Sequence, residues 1–115
     1  NSKPSGALTE KHRCFEMGQL RKIARELSKR ARNGDRGAAQ ELLRHSIDLG
    51  HRRLALHRFF LATAMGVEPP PEHLRYCAEL LGSIPEDAVR DIARKEVRNA
   101  QVYLARGSNR EVVNV

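Results

Sequence analysis

The stretch HRRLALHRFFLATAMG, residues 51–66, decides the fold that this sequence predicts. At about 100° per residue on a helix, its large apolar side chains, which include Leu56, Phe60 and Met65, point in almost every direction. A helix that is apolar all round is typical of the inside of a bundle. We therefore predict that this stretch forms the central helix of an all-α domain and that Phe60 is buried there.

Length and composition limit what can surround this helix. With 115 residues the chain is long enough for one hydrophobic core, and its 40% hydrophobic and 30% charged residues exclude global disorder. Only 4% of the residues are aromatic, so we expect a core of Leu, Ala, Ile and Val. The predicted organisation is a single helical domain over residues 9–107, with a flexible lead-in at residues 1–8 and a C-terminal tail at residues 108–115.

Apolar stripes and local signals divide this domain into about five antiparallel helices. The first helix should begin near Thr9, and because Phe15 lies off its apolar stripe, the sequence leaves open whether this helix breaks at Gly18. Signals that start or end the other helices occur at Asn33-Gly34-Asp35, Gly50, Gly66, Pro69-Pro70-Pro71, Ser83-Ile84-Pro85-Glu86 and Gly107. Asp35 is the predicted N-cap of the second helix. Ser83 and Glu86 match a capping box for the last helix.

Five of the eight glycines recur every 16 residues, at positions 18, 34, 50, 66 and 82. Equal helices that each end in a glycine give this spacing in any antiparallel bundle, but pairs of such helices also approach the length of helical solenoid repeats. The predicted fold is therefore a compact antiparallel bundle or a short helical-repeat arrangement. The tetratricopeptide pattern is not matched, since the sequence has no Trp.

The formal net charge of +7 is concentrated in the first part of the chain. Residues 1–60 contain fourteen Lys and Arg against six Asp and Glu, whereas residues 61–115 contain seven against eight. The predicted binding surface is a basic ridge formed by Arg21, Arg25, Arg32 and Arg36. Such a surface favours an acidic protein partner, and we predict a non-enzymatic interaction module that serves as an adaptor or regulator.

A nucleic-acid-binding helical domain is the alternative function, because a basic ridge also attracts phosphates through counterion release. Residues 42–61 partly match a helix-turn-helix with Gly50 at the turn. The DNA or RNA contacts of this alternative are Arg52, Arg53, His57 and Arg58. Against it, these four side chains do not share one face, and their helix is apolar on many sides.

The sequence contains no motif for catalysis, for a cofactor or for a metal. Neither the histidines at positions 45, 51 and 57 nor the pair His12 and Cys14 has the spacing of zinc ligands, so we expect no metal site. Cys77 lies on an apolar stripe, which predicts a buried thiol rather than a nucleophile. Two cysteines and the absence of a long apolar run favour a reduced, cytoplasmic protein without a membrane span.

Overall fold

Five α-helices form the protein in a computed structural model, which describes the backbone of residues 3–114 and the side chains of residues 18–107. The helices are α1 (Lys3–Arg32), α2 (Arg36–Asp48), α3 (Arg52–Ala64), α4 (Pro71–Ser83) and α5 (Glu86–Asn114). Residues 3–114 contain no strand, which confirms the predicted all-α class with five helices. Whether residues 1–8 and 108–115 are flexible stays a prediction, because their side chains lie outside the described residues.

Helix α3 is central, as predicted, because it packs against α2, α4 and α5. Its Leu56 side chain is completely buried. The prediction that the helix is buried all round is wrong, since Phe60 is only partly buried and Leu54 is 39% exposed. An apolar side chain is buried only where a neighbouring element covers it. Leu54 stays exposed because it lines the open space between α3 and α1.

The core consists of two clusters on the two sides of α2 and α3. The first cluster joins α1, α2, α3 and α5 and consists of Ala31, Ala38, Ala39, Leu42, Leu61, Ala62, Met65 and Ala100. The second joins α2, α3 and α4 and consists of Leu43, Ala55, Leu56, Cys77 and Leu80. Five of the eight residues in the first cluster are alanines, so the helices around it can approach closely.

The turn between α1 and α2 brings α5 against it through two glycines. Asp35 caps α2 as predicted, because its carboxylate accepts a hydrogen bond of 3.0 Å from the Ala38 amide. Gly34 precedes it with φ +94°, and a Cβ at this position would lie 2.9 Å from the Cα of Gly107. The side chain of Arg106 also donates to the Arg32 carbonyl at 3.4 Å. These contacts fix the distance between α1 and α5.

Three of the five regularly spaced glycines close helices. Gly34, Gly50 and Gly66 have positive φ and follow α1, α2 and the end of α3. Gly18 and Gly82 lie inside helices, so α1 does not break at Gly18, which the sequence left open, and Gly82 does not close α4.

Three helix boundaries differ from those predicted. Helix α1 begins at Lys3, before the predicted start near Thr9. Helix α5 continues through Gly107, because this glycine packs on the α1–α2 turn instead of ending the helix. The predicted capping box is wrong, since Ser83 belongs to the last turn of α4 and its hydroxyl donates to the Leu80 carbonyl at 2.9 Å.

Candidate binding groove

The predicted basic ridge divides into two parts. Arg21, Arg25 and Arg32 lie within about 40° of one another on α1 at roughly 100° per residue, and all three are exposed. Arg36 begins α2, and its Nε donates to the Met65 carbonyl at 2.7 Å. Three members of the ridge therefore share one side of α1, whereas Arg36 fastens α2 to the C-terminal end of α3.

The four residues of the nucleic-acid alternative do not form one free surface. Arg52 donates to the Ser83 hydroxyl at 3.1 Å, and Arg53 is exposed. His57 and Arg58 point inward, toward α5 and α1 respectively. Because α3 also packs against three other helices, this arrangement does not favour α3 as a recognition helix in a DNA groove.

A cavity of about 400 Å³ lies between α1, α3 and α5. We call it the basic cavity. Its lining residues are Ser28, Ala31, Arg32, Leu54, His57, Arg58, Leu61, Lys95, Glu96, Asn99 and Tyr103. Three of these are cations and one is a carboxylate, so the cavity combines Arg32 of the predicted ridge with Arg58 of the predicted alternative set.

Glu96 is a buried carboxylate whose two oxygens both have partners. The residue is 8% exposed. Its Oε2 lies 2.7 Å from His57 Nδ1, and its Oε1 accepts a hydrogen bond of 3.2 Å from the Asn99 amide. The contact with His57 joins α5 to α3 at the wall of the basic cavity, and the contact with Asn99 lies within α5.

Arg58 is a half-buried cation whose charge is only partly compensated. Its Nη1 donates to the Ser28 hydroxyl at 3.3 Å, which bridges α3 and α1. Its Nε is buried without a hydrogen-bond partner among the described residues. Burial lowers the pKa of the Arg58 guanidinium below its ordinary value, the charge of Arg32 lowers it further, and Glu96 and Tyr103 oppose the shift. The unmade hydrogen bond at Nε adds to the cost of burying this guanidinium.

A second cavity, of about 320 Å³, continues along α1 from the basic cavity. We call it the apolar cavity, and the two together the α1–α3 groove. Its lining residues are Leu20, Arg21, Ala24, Leu42, His45, Ser46, Leu49, His51, Leu54 and Arg58. Leu54 and Arg58 line both cavities, so the groove has a cationic part and an apolar part side by side. Arg32 lines the basic cavity and Arg21 lines the apolar cavity, whereas Arg25 lines neither.

Sequence reasoning missed the contribution of α5 to this groove. Glu96 occupies the apolar stripe of α5, four residues after Ile92 and four before Ala100. A carboxylate at a buried stripe position requires a polar partner, and this signal could have pointed to His57 or another basic residue. Lys95 and Asn99 could then have been predicted as neighbours in the site, because they lie one residue before and three residues after Glu96 on the same helix. The near-neutral total charge of residues 61–115 concealed these positions.

A second basic surface was also missed. Arg90, Arg94 and Arg98 recur every four residues on α5, and all three are exposed. They border a shallow depression with Val97, which is 44% exposed. Arg90 forms a salt bridge of 3.4 Å with Glu86 one turn earlier on α5, whereas Arg94 and Arg98 form none with a described residue.

Cys77 is completely buried, as predicted, and burial raises the pKa of its thiol to about 11. His12 and Cys14 lie outside the residues with described side chains. In the described part of the chain, no three His, Cys, Asp or Glu side chains are close enough to hold a metal ion. None of the helices in that part is both long enough and apolar enough to cross a membrane.

No protein-family model matches the chain, and no curated protein or solved structure matches it.

Proposed function

We propose that this protein is a non-enzymatic helical interaction module that binds an acidic segment of a protein partner in the α1–α3 groove. The observation that carries the proposal is the position of the basic cavity directly beside the apolar cavity, with Leu54 and Arg58 in both walls. A segment with an acidic and an apolar side chain at neighbouring positions matches this arrangement. Arg21 and Arg32 belong to the predicted ridge and lie at the two cavities.

The size of the cavities supports side chains of a partner as occupants. Volumes of about 400 and 320 Å³ lie at the lower end of the range of roughly 300–1,000 Å³ for small-molecule pockets. Each cavity can therefore hold one or a few side chains. Main-chain contacts along exposed Arg25 on the same side of α1 would keep the segment in the groove.

The arrangement of hydroxyl and imidazole groups supports a binding function over catalysis. Nucleophilic catalysis by serine needs a hydrogen bond between the hydroxyl and a base. In the basic cavity the Ser28 hydroxyl contacts Arg58, while His57 contacts Glu96. The two groups are thus engaged in separate structural contacts.

The alternative function is phosphate-backbone binding by the row of Arg21, Arg25 and Arg32. Those three side chains are exposed on α1 and could reach a nucleic acid. The recessed position of Arg58 favours an inserted acidic side chain instead, because a helical duplex presents its phosphates on a convex surface.

The test compares two double variants that change the charge equally. The first, R21E/R32E, alters residues of the groove, and the second, K22E/K29E, alters exposed lysines of α1 that line neither cavity. Binding of a fluorescent peptide with alternating Glu and Leu is measured by anisotropy near physiological salt, where charges beyond about 8 Å are screened. We expect R21E/R32E to lose roughly tenfold or more in affinity and K22E/K29E to lose much less.

Circular dichroism checks that both variants are folded. Equal losses in the two variants would contradict the groove, since they would show a response to total charge alone. The same proteins are also titrated with duplex DNA between about 50 and 200 mM salt. Tighter binding to the duplex than to the peptide, with a steep linear dependence on log salt, would favour the nucleic-acid alternative and overturn the proposal.

A further inference from the structure

The basic cavity carries more positive charge than its own carboxylate compensates. Arg32, Arg58 and Lys95 line it with Glu96 as the only acidic side chain, which leaves a net charge of +2 when His57 is counted as neutral. Among the described residues, Glu96 forms no salt bridge with Arg32, Arg58 or Lys95. These three cations of the cavity lining are therefore not paired with its carboxylate.

The three cations come from three different helices. Arg32 is the last residue of α1, Arg58 lies in α3 and Lys95 lies in α5. Arg58 is held by its hydrogen bond to Ser28, and its buried Nε is without a partner among the described residues. Donors that surround a space from three directions suit a tetrahedral acceptor better than a planar one, and guanidinium groups bind phosphate oxygens with good geometry.

We infer that the basic cavity binds a phosphate monoester. The ester is either a phosphorylated side chain of the partner segment or a free phosphorylated small molecule. The charge supports this ligand, because a monoester carries about −1.5 to −2 at neutral pH and balances the net charge of the lining, whereas a carboxylate balances only half of it. The inference rests on the proposed function in that it assigns the acidic group received by the same groove.

The apolar wall of the cavity assigns a place to the organic part of the ester. Leu54, which is 39% exposed, lines both cavities, and Leu61 and Ala31 line the basic one. With the phosphate at the three cations, the carbon atoms next to the ester oxygen lie against Leu54. A purely inorganic phosphate lacks this contact, so phenyl phosphate should bind more tightly than inorganic phosphate.

The experiment titrates the full chain with inorganic phosphate, phenyl phosphate and acetate at constant ionic strength, with amide chemical shifts as the readout. We expect saturable shifts around the basic cavity with the two phosphates and none with acetate. Lys95→Gln should weaken phenyl phosphate binding by roughly three- to tenfold through the loss of one charge-assisted contact. The matched control is Arg94→Gln, which removes a neighbouring exposed charge of α5 that does not line this cavity.

Arg58→Gln should abolish saturable binding. If this variant unfolds because Arg58 is half-buried, the comparison of Lys95→Gln with Arg94→Gln tests the inference by itself. Equal responses to acetate and phosphate, or equal weakening in Lys95→Gln and Arg94→Gln, would overturn the inference. The affinities of an acidic peptide with and without one phosphoserine distinguish a partner segment from a free small molecule as the source of the phosphate. A gain of roughly tenfold on phosphorylation assigns a partner segment, and a phosphopeptide that binds no better than phenyl phosphate assigns a free small molecule.

Failure of this inference is distinguishable from failure of the proposed function. If the unphosphorylated Glu and Leu peptide binds in the groove but no phosphate does, only the monoester assignment is wrong. If phenyl phosphate binds and neither peptide does, the cavity is an anion site and the proposed partner segment is wrong.

Discussion

The contact between Gly34 and Gly107 predicts opposite effects of the same substitution at two touching residues. A Cβ at position 34 would lie 2.9 Å from the Cα of Gly107 and 3.0 Å from the Tyr103 carbonyl oxygen. A Cβ at position 107 would lie 3.4 Å from the Asn33 carbonyl oxygen and from the Cα of Gly34, which is an ordinary contact distance. Alanine therefore fits at position 107 and does not fit at position 34.

The magnitudes follow from backbone strain and packing. With φ at +94°, Gly34 occupies a conformation that costs an L-residue roughly 1–2 kcal/mol. Its Cβ would also push the turn and α5 apart, and overpacking of this kind typically costs about 1–3 kcal/mol. Gly107 lies inside α5, where Gly→Ala stabilises a helix by roughly 0.5–1 kcal/mol. We expect Gly34→Ala to lower the free energy of unfolding by about 2–5 kcal/mol and Gly107→Ala to leave it unchanged or raise it.

Urea unfolding followed by far-ultraviolet circular dichroism measures both changes. Gly50→Ala is the matched control, because Gly50 has φ +72° and no atom within 4 Å of its added Cβ. It should cost only the strain, about 1–2 kcal/mol. If Gly34→Ala costs no more than Gly50→Ala, the close approach of α5 to the α1–α2 turn is refuted.

Three further predictions concern the cap, the core and the thiol. The pKa of the Asp35 carboxyl is lowered by its hydrogen bond from the first turn of α2 and by a neighbouring guanidinium. The ionised carboxylate therefore stabilises the folded state above the unfolded pKa of about 3.9, and this stabilisation is lost as the pH falls through the lower folded pKa. Asp35→Ala should therefore cost about 1 kcal/mol near neutral pH, and the difference from the parent should decrease on acidification, as measured by urea unfolding at several pH values. Leu56→Ala should cost about 2–5 kcal/mol and exceed the cost of Phe60→Ala, because Leu56 is completely buried and Phe60 only partly; the reverse order of melting temperatures would show that the second cluster is centred elsewhere. In a Cys14→Ser variant, Cys77 should react with a thiol reagent at mildly alkaline pH only after unfolding, since a pKa of about 11 leaves very little thiolate; fast reaction of the folded variant would contradict its burial.

Much of the fold was predictable because its signals are local. The N-cap at Asp35, the proline at the start of α4 and the glycines that close α1 and α2 act within a few residues of chain, so the sequence alone identifies them. Where two local signals overlapped, the prediction failed. Ser83 can cap the next helix or extend the previous one, and its hydrogen bond to Leu80 decides for the latter.

The sequence by itself determined the all-α class, the central position of α3 and the basic character of α1, because periodicity, capping and composition are properties of the chain. Only the tertiary structure decided which charges share a site. Arg58 reaches Ser28 across 30 positions, His57 reaches Glu96 across 39, and Gly107 packs on Gly34 from the far end of the chain. An apolar stripe specifies the face that a helix buries, but the helix that it meets and the register of their contact depend on how the whole core fills space.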